Sequence, residues 1–170
     1  MLALLLHLGA TAAASAATRH ALIVGVGNYK EASGLDRLTA PPNDADQVKK
    51  MLDKPGFGFV TDVLKDDEVR DKAAFNAAFL KFLSRVQPGD EVLFYFSGHG
   101  YSVDNKGNYF LLPDSKSQTV YLKDLGAAGT RDLDTQDKRD GKYKEWLSDV
   151  ALSEAAIESR SRTAAPRLSS

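Results

Sequence analysis

The 170-residue chain has no cysteine at all, one tryptophan and two methionines. The first absence excludes a disulfide framework, a zinc–thiolate centre and an iron–sulfur cluster, though it assigns no redox compartment. Charge of one sign is also lacking: 22 basic and 23 acidic side chains are interspersed and leave a net charge of -1. No basic stripe is available to follow a phosphate backbone, so nucleic acid is not expected as a partner. The chain also lacks a run of about 20 apolar residues, so no stable membrane span is expected. What remains, at 43% hydrophobic residues, is enough to bury the core of one globular domain.

The first 17 residues, MLALLLHLGATAAASAA, form a Leu- and Ala-rich run followed by small residues that would suit signal-peptidase cleavage near Ala14 to Ala17. An exported protein, periplasmic or extracellular, is the expectation. No Lys or Arg precedes the run, which keeps a frayed Ala-rich helix as the alternative.

From Arg19 onward the pattern changes to that of an α/β domain. His20-Ala-Leu-Ile-Val-Gly-Val26 is a buried strand running into Gly27-Asn28. Asn43 to Leu52 has helical spacing at Ala45, Val48 and Leu52, and a second strand follows the turn at Gly56. Asp71 to Val86 predicts an amphipathic helix with Phe75, Phe79, Phe82 and Leu83 on one face. Glu91-Val-Leu-Phe-Tyr-Phe96 is apolar at successive positions, as in a parallel strand covered by helices on both faces. A βαβαβ order predicts an open, mostly parallel sheet with its functional residues at the carboxyl ends of the strands. Those ends are Gly27 to Tyr29, Asp44 beyond the first loop, and Ser97-Gly98-His99-Gly100. Asn108 to Leu112 reads as a short strand, residues 114–142 as a long polar loop, and Tyr143 to about Arg160 as a helix; Ser161 to Ser170 reads as a tail.

His99 stands between two glycines after an apolar strand, unshielded and able to exchange protons near neutral pH. A solvated loop histidine is the plainer alternative for the tripeptide alone. Gly98 and Gly100 would let backbone N–H groups approach a developing oxyanion, or would simply turn the chain. Asp44 and Gln47 are three apart ahead of an apolar-periodic stretch, in the order of a capping box, so the spacing favours a capping role for Asp44. Gly25-Val-Gly27 is a weak dinucleotide signal, because Lys30 fills the third glycine position. Asp132-Leu-Asp-Thr-Gln-Asp137 lacks the Gly and terminal Glu of a calcium loop and reads as solvated.

Together, Gly25-Val-Gly-Asn-Tyr29, Pro42-Asn-Asp-Ala45, Asp90 through Ser97-Gly-His-Gly100 and Asn108-Tyr-Phe-Leu-Leu-Pro113 resemble, in that order, the bacterial caspase-like and metacaspase peptidases. The resemblance runs from Arg19 to Pro113 and implies a three-layer α/β/α caspase-like fold. It implies that His99 is the catalytic base, that the backbone at Gly100 helps hold the oxyanion, and that Asp44 lies in a pocket selecting Arg or Lys before the scissile bond. In that family the nucleophilic Cys ends the next core strand. Residues 19–170 are therefore expected to be a partial domain, its sheet incomplete on the C-terminal side and inactive as it stands. The partner would be a peptide or protein substrate, with no cofactor; calcium activates some metacaspases, but no ligand motif supports it here. A noncatalytic caspase-like module binding peptides through the same cleft is the alternative, and a flavodoxin-like nucleotide-binding domain a third.

Overall fold

A computed structural model describes residues 17–103, 107–130, 145–149 and 151–164. The proposed signal segment, apart from Ala17, and the Asp132–Asp137 loop lie outside these residues.

Three strands, β1 (Arg19–Gly25), β2 (Phe59–Lys65) and β3 (Glu91–Ser97), pair in parallel in the order β2-β1-β3. The continuous apolar run of β1 has a simple cause: both of its faces are covered. Ala21 and Ile23 join Ala45 and Leu52 of α1 (Pro41–Leu52) on one face. Leu22 and Val24 point to the other face, where α2 (Lys72–Leu83) brings Phe75, Phe79 and Phe82. The result is the helix–sheet–helix sandwich that the alternation of elements predicts. Asp71 starts α2 by accepting the Ala74 N–H at 2.8 Å, which satisfies one of the helix's free N-terminal donors.

β3 has β1 as its one strand neighbour among the described residues, so its outer edge is open and the sheet is incomplete on that side. After β3 the chain enters a hairpin, β4 (Gly100–Val103) and β5 (Gly107–Leu111), extended by β6 (Ala151–Ser153) into a second, antiparallel sheet. Phe110 of β5 packs on Phe94 and Phe96 of β3, with ring centroids 5.7 and 4.8 Å away, and so ties the two sheets together.

Three sequence expectations need correction. The stretch read as a long loop contains α3 (Gln118–Thr130), interrupted at Gly126, whose φ of 65° is left-handed. Ser117 starts this helix by accepting the Val120 N–H through its hydroxyl and the Tyr121 N–H through its carbonyl. Tertiary contacts then hold it in place: Tyr121 donates to Asp149 at 2.7 Å, and the Trp146 indole donates to the Lys116 carbonyl at 2.9 Å. Second, the single helix expected over Tyr143–Arg160 is divided into α4 (residues 145–149), β6 and α5 (Glu154–Ala164). Ala151 and Leu152 pair with Leu111 and Phe110 instead of continuing a helix, and the Ser153 hydroxyl accepts the Ala156 N–H to start α5. Third, α5 runs on through Ala164, past the point where the chain was expected to lose structure.

Candidate active site

The carboxyl ends of the three parallel strands converge on one region, as the order of elements requires. The loop leaving β1 is pinned by Asp66, which follows β2 and whose carboxylate accepts the N–H groups of Gly27 and Asn28, each at 2.8 Å. Asp66 holds a positive φ of 39°, an uncommon conformation for a residue with a side chain, kept by these bonds. The same geometry disposes of the dinucleotide reading, since the amides that would cradle a phosphate are occupied by the protein's own carboxylate. Glycine at positions 25 and 27 has a packing cause instead. A Cβ at Gly25 would lie 2.5 Å from the Pro41 carbonyl oxygen, and one at Gly27 would lie 2.2 Å from that of Leu38.

His99 follows β3 and is half-buried. Its backbone is fixed on both sides: its N–H donates to the Tyr29 hydroxyl at 2.8 Å, and its carbonyl accepts the Leu111 N–H at 3.0 Å, closing the base of the hairpin. The imidazole Nε2 lies 2.8 Å from the backbone carbonyl of Asp36. A carbonyl can only accept, so Nε2 carries the proton and, in the neutral ring, Nδ1 is left as the basic nitrogen. The ring also lies against Tyr29, with centroids 4.7 Å apart and planes tilted by 59°.

Tyr29 is buried, and its hydroxyl donates to the Leu111 carbonyl at 3.0 Å. Burial, partly offset by the bond from the His99 amide and reinforced by the nearby Asp66 charge, keeps the phenol protonated far into the alkaline range.

Asp44 corrects the capping expectation. Pro41 and Pro42 occupy the first two helical positions, Ala40 is the N-cap, and no side chain caps the helix. The helix therefore begins two residues earlier than its apolar periodicity suggests, and Asp44 is carried past the cap into the first turn. Its carboxylate instead accepts the Ser97 hydroxyl at 2.9 Å. That bond places Asp44 beside the end of β3, two residues before His99. Gly100 is exposed and begins β4 opposite Phe110; a Cβ there would come 3.2 Å from the Tyr109 carbonyl oxygen.

The fold thus brings Asp44, Ser97, His99 and Gly100 to one end of the sheet. Sequence reasoning gave no role to Ser97, Tyr29, Asp66 or the Asp36 carbonyl. Ser97 and Tyr29 lie at the strand ends where the order of elements predicts functional residues, but Asp36 contributes through its backbone, and no side-chain pattern reports that. Two cavities, of about 310 Å3 between α2 and α5 and about 570 Å3 beside the open edge of β3, lie elsewhere and are lined by neither His99 nor Asp44. Among the described residues, no cluster of three or more His, Asp or Glu is placed to hold a metal ion, and no helix is long and apolar enough to cross a membrane.

Residues 18–128, about two thirds of the chain, match the family model of the caspase domain, a peptidase family. No curated protein matches the chain.

Proposed function

Because the chain belongs to the caspase-domain family of peptidases, we propose that it carries the general-base half of a cysteine-type endopeptidase centre acting on peptide or protein substrates. The observation that carries this reading is the Nε2 bond to the Asp36 carbonyl, which leaves Nδ1 of His99 free to take a proton. The 170 residues contain no thiol, so cleavage requires a thiolate from polypeptide outside them.

With a thiol beside His99, Nδ1 would accept its proton as sulfur bonds to the scissile carbonyl carbon. The carbonyl electron pair would collect on oxygen, where the Gly100 backbone N–H would stabilise it. Collapse would break the C–N bond, with His99 returning the proton to the leaving amine. Water, deprotonated by His99, would then release the acyl group and restore the thiol. Asp44, held by Ser97, would receive an Arg or Lys side chain before the scissile bond through charge-assisted hydrogen bonds.

The test is expression of the whole open reading frame, to its stop codon, with Arg- and Lys-containing fluorogenic peptides. Cleavage that disappears in His99→Ala supports the reading; cleavage that survives that substitution refutes the base assignment. The missing thiol favours a second reading, a noncatalytic caspase-like module. It predicts a complete open reading frame without a site cysteine that binds Arg-containing peptides and cleaves none.

A further inference from the structure

We propose that Tyr29 is a positioning residue for His99: its buried hydroxyl sets where the imidazole stands at the end of β3, a role that rests on His99 being the general base.

One phenolic oxygen is in contact with two backbone groups of different segments. It accepts the His99 N–H at 2.8 Å and donates to the Leu111 carbonyl at 3.0 Å, fixing the strand that delivers the histidine to the hairpin strand that returns past it. The ring below that oxygen lies against the imidazole itself, 4.7 Å between centroids. If Tyr29 were only a core residue, phenylalanine would fill the same space, and the oxygen would be a buried polar atom without purpose. Its two bonds both converge on the His99 turn, because the Leu111 N–H in turn reaches the His99 carbonyl.

The surroundings are shaped to that oxygen. A Cβ at position 98 would lie 2.8 Å from the Tyr29 hydroxyl and 2.9 Å from the Phe96 ring, so the glycine before His99 is the residue that leaves room for the phenol. On the other side, the Asp66 carboxylate clamps the two residues preceding Tyr29 by their amides. Beyond Tyr29, the Lys30 N–H donates to the Pro113 carbonyl at 3.3 Å. Tyr29 is thereby held from both sides, while the far end of the imidazole is held by the Asp36 carbonyl. A base fixed at its main chain, its ring face and its Nε2 has one remaining orientation for Nδ1, the order that proximity catalysis requires.

The experiment compares the chain with Tyr29→Phe and Gly98→Ala by NMR and thermal unfolding. Tyr29→Phe removes only the oxygen; Gly98→Ala keeps it but contests its place. We expect both to move the His99 backbone amide and imidazole resonances while those of His20 stay in place. A Tyr29→Phe chain that loses thermal stability yet keeps every His99 resonance unchanged has lost a structural contact only, and the proposal is overturned. If Tyr29→Phe does not fold, Gly98→Ala decides by the same criterion. In the complete open reading frame, Tyr29→Phe should lower kcat about tenfold to a hundredfold with KM within about twofold; an unchanged kcat overturns the proposal. Should the unaltered open reading frame cleave nothing, the peptidase reading fails, and the His99 resonances still decide whether Tyr29 positions the ring.

Discussion

The Ser97 hydroxyl donates to the Asp44 carboxylate over 2.9 Å, joining the end of β3 to the first turn of α1 across 53 positions of sequence. It turns a carboxylate that local spacing assigns to a helix cap toward the strand that carries His99. For the proposed peptidase the consequence is a carboxylate fixed beside the end of the strand that delivers His99, and for the isolated fold it is a link between helix and sheet.

Asp44→Asn keeps the size and the acceptor for Ser97 and removes the charge. Affinity for a noncleavable Arg-containing peptide should fall about tenfold or more, while an uncharged peptide is unaffected. Isothermal titration of both peptides measures this, and equal loss for the two would sink the assignment.

Asp66→Ala removes the acceptor of the Gly27 and Asn28 amides. Leaving two donors without a partner should cost about 1–3 kcal/mol. Hydrogen exchange should speed up at those two amides more than in β1, and protection at Gly27 and Asn28 equal to the unaltered chain would contradict the clamp.

Gly27→Ala places a Cβ 2.2 Å from the Leu38 carbonyl oxygen, a backbone atom that also sits on a segment bonded to Gly27 through the Leu38 N–H at 2.9 Å. Backbone cannot swing aside as a flexible side chain would, so a loss of about 2–3 kcal/mol is expected in urea unfolding. Gly56→Ala, where a Cβ meets nothing within 4 Å, serves as the control and should be near neutral.

Phe79→Ala empties the centre of the aromatic cluster under the sheet, where Phe79 is fully buried with Phe75 and Phe82 at 5.5 and 6.3 Å. A loss of about 3–5 kcal/mol is expected, a large share of the stability of a domain this size. Circular dichroism should show a much lower Tm or an unfolded chain.

Acid stability should depend on Asp90, at the opposite end of the sheet from His99. Its carboxyl is held below the usual carboxylate range, first by the Gln87 N–H, then by the Thr18 N–H and by His20. A carboxyl whose folded value is depressed contributes stability above its unfolded value and loses it as pH falls through the folded one. The stabilisation should therefore be complete above about pH 4 and fade below it. Asp90→Asn should be less stable at neutral pH and show a flatter decline in Tm on acidification; a parallel decline in both proteins would count against this role.

The readable parts of the fold are those in which one physical requirement is repeated over many positions. Successive apolar residues marked β1 and β3 because both sheet faces are covered, and Phe75, Phe79 and Phe82 marked the buried stripe of α2. The parts that escaped are those in which local pattern competes with a distant partner. Gln118–Thr130 sits inside a stretch, 114–142, whose polar residues and turn formers taken together read as a loop, yet the Tyr121–Asp149 bond ties it down as a helix, with the Trp146 indole holding the Lys116 carbonyl just ahead of it. Ala151 and Leu152 continue a helical spacing, yet pairing with β5 makes them a strand. Gly100–Val103 is too short to show any period, and its partner strand is what makes it extended.

The amino-acid sequence by itself determined the alternation of strand and helix, the end of the sheet at which the candidate site lies, the histidine between glycines and the absence of any thiol. Tertiary structure alone decided which atoms meet there. The bonds that define the site join residues far apart in the chain: 53 positions from Asp44 to Ser97, 63 from Asp36 to His99, 70 from Tyr29 to His99 and 82 from Tyr29 to Leu111. Periodicity survives in a sequence because it averages over neighbours, whereas each of these bonds depends on a single pair of atoms that only the packed sheet brings within 3 Å.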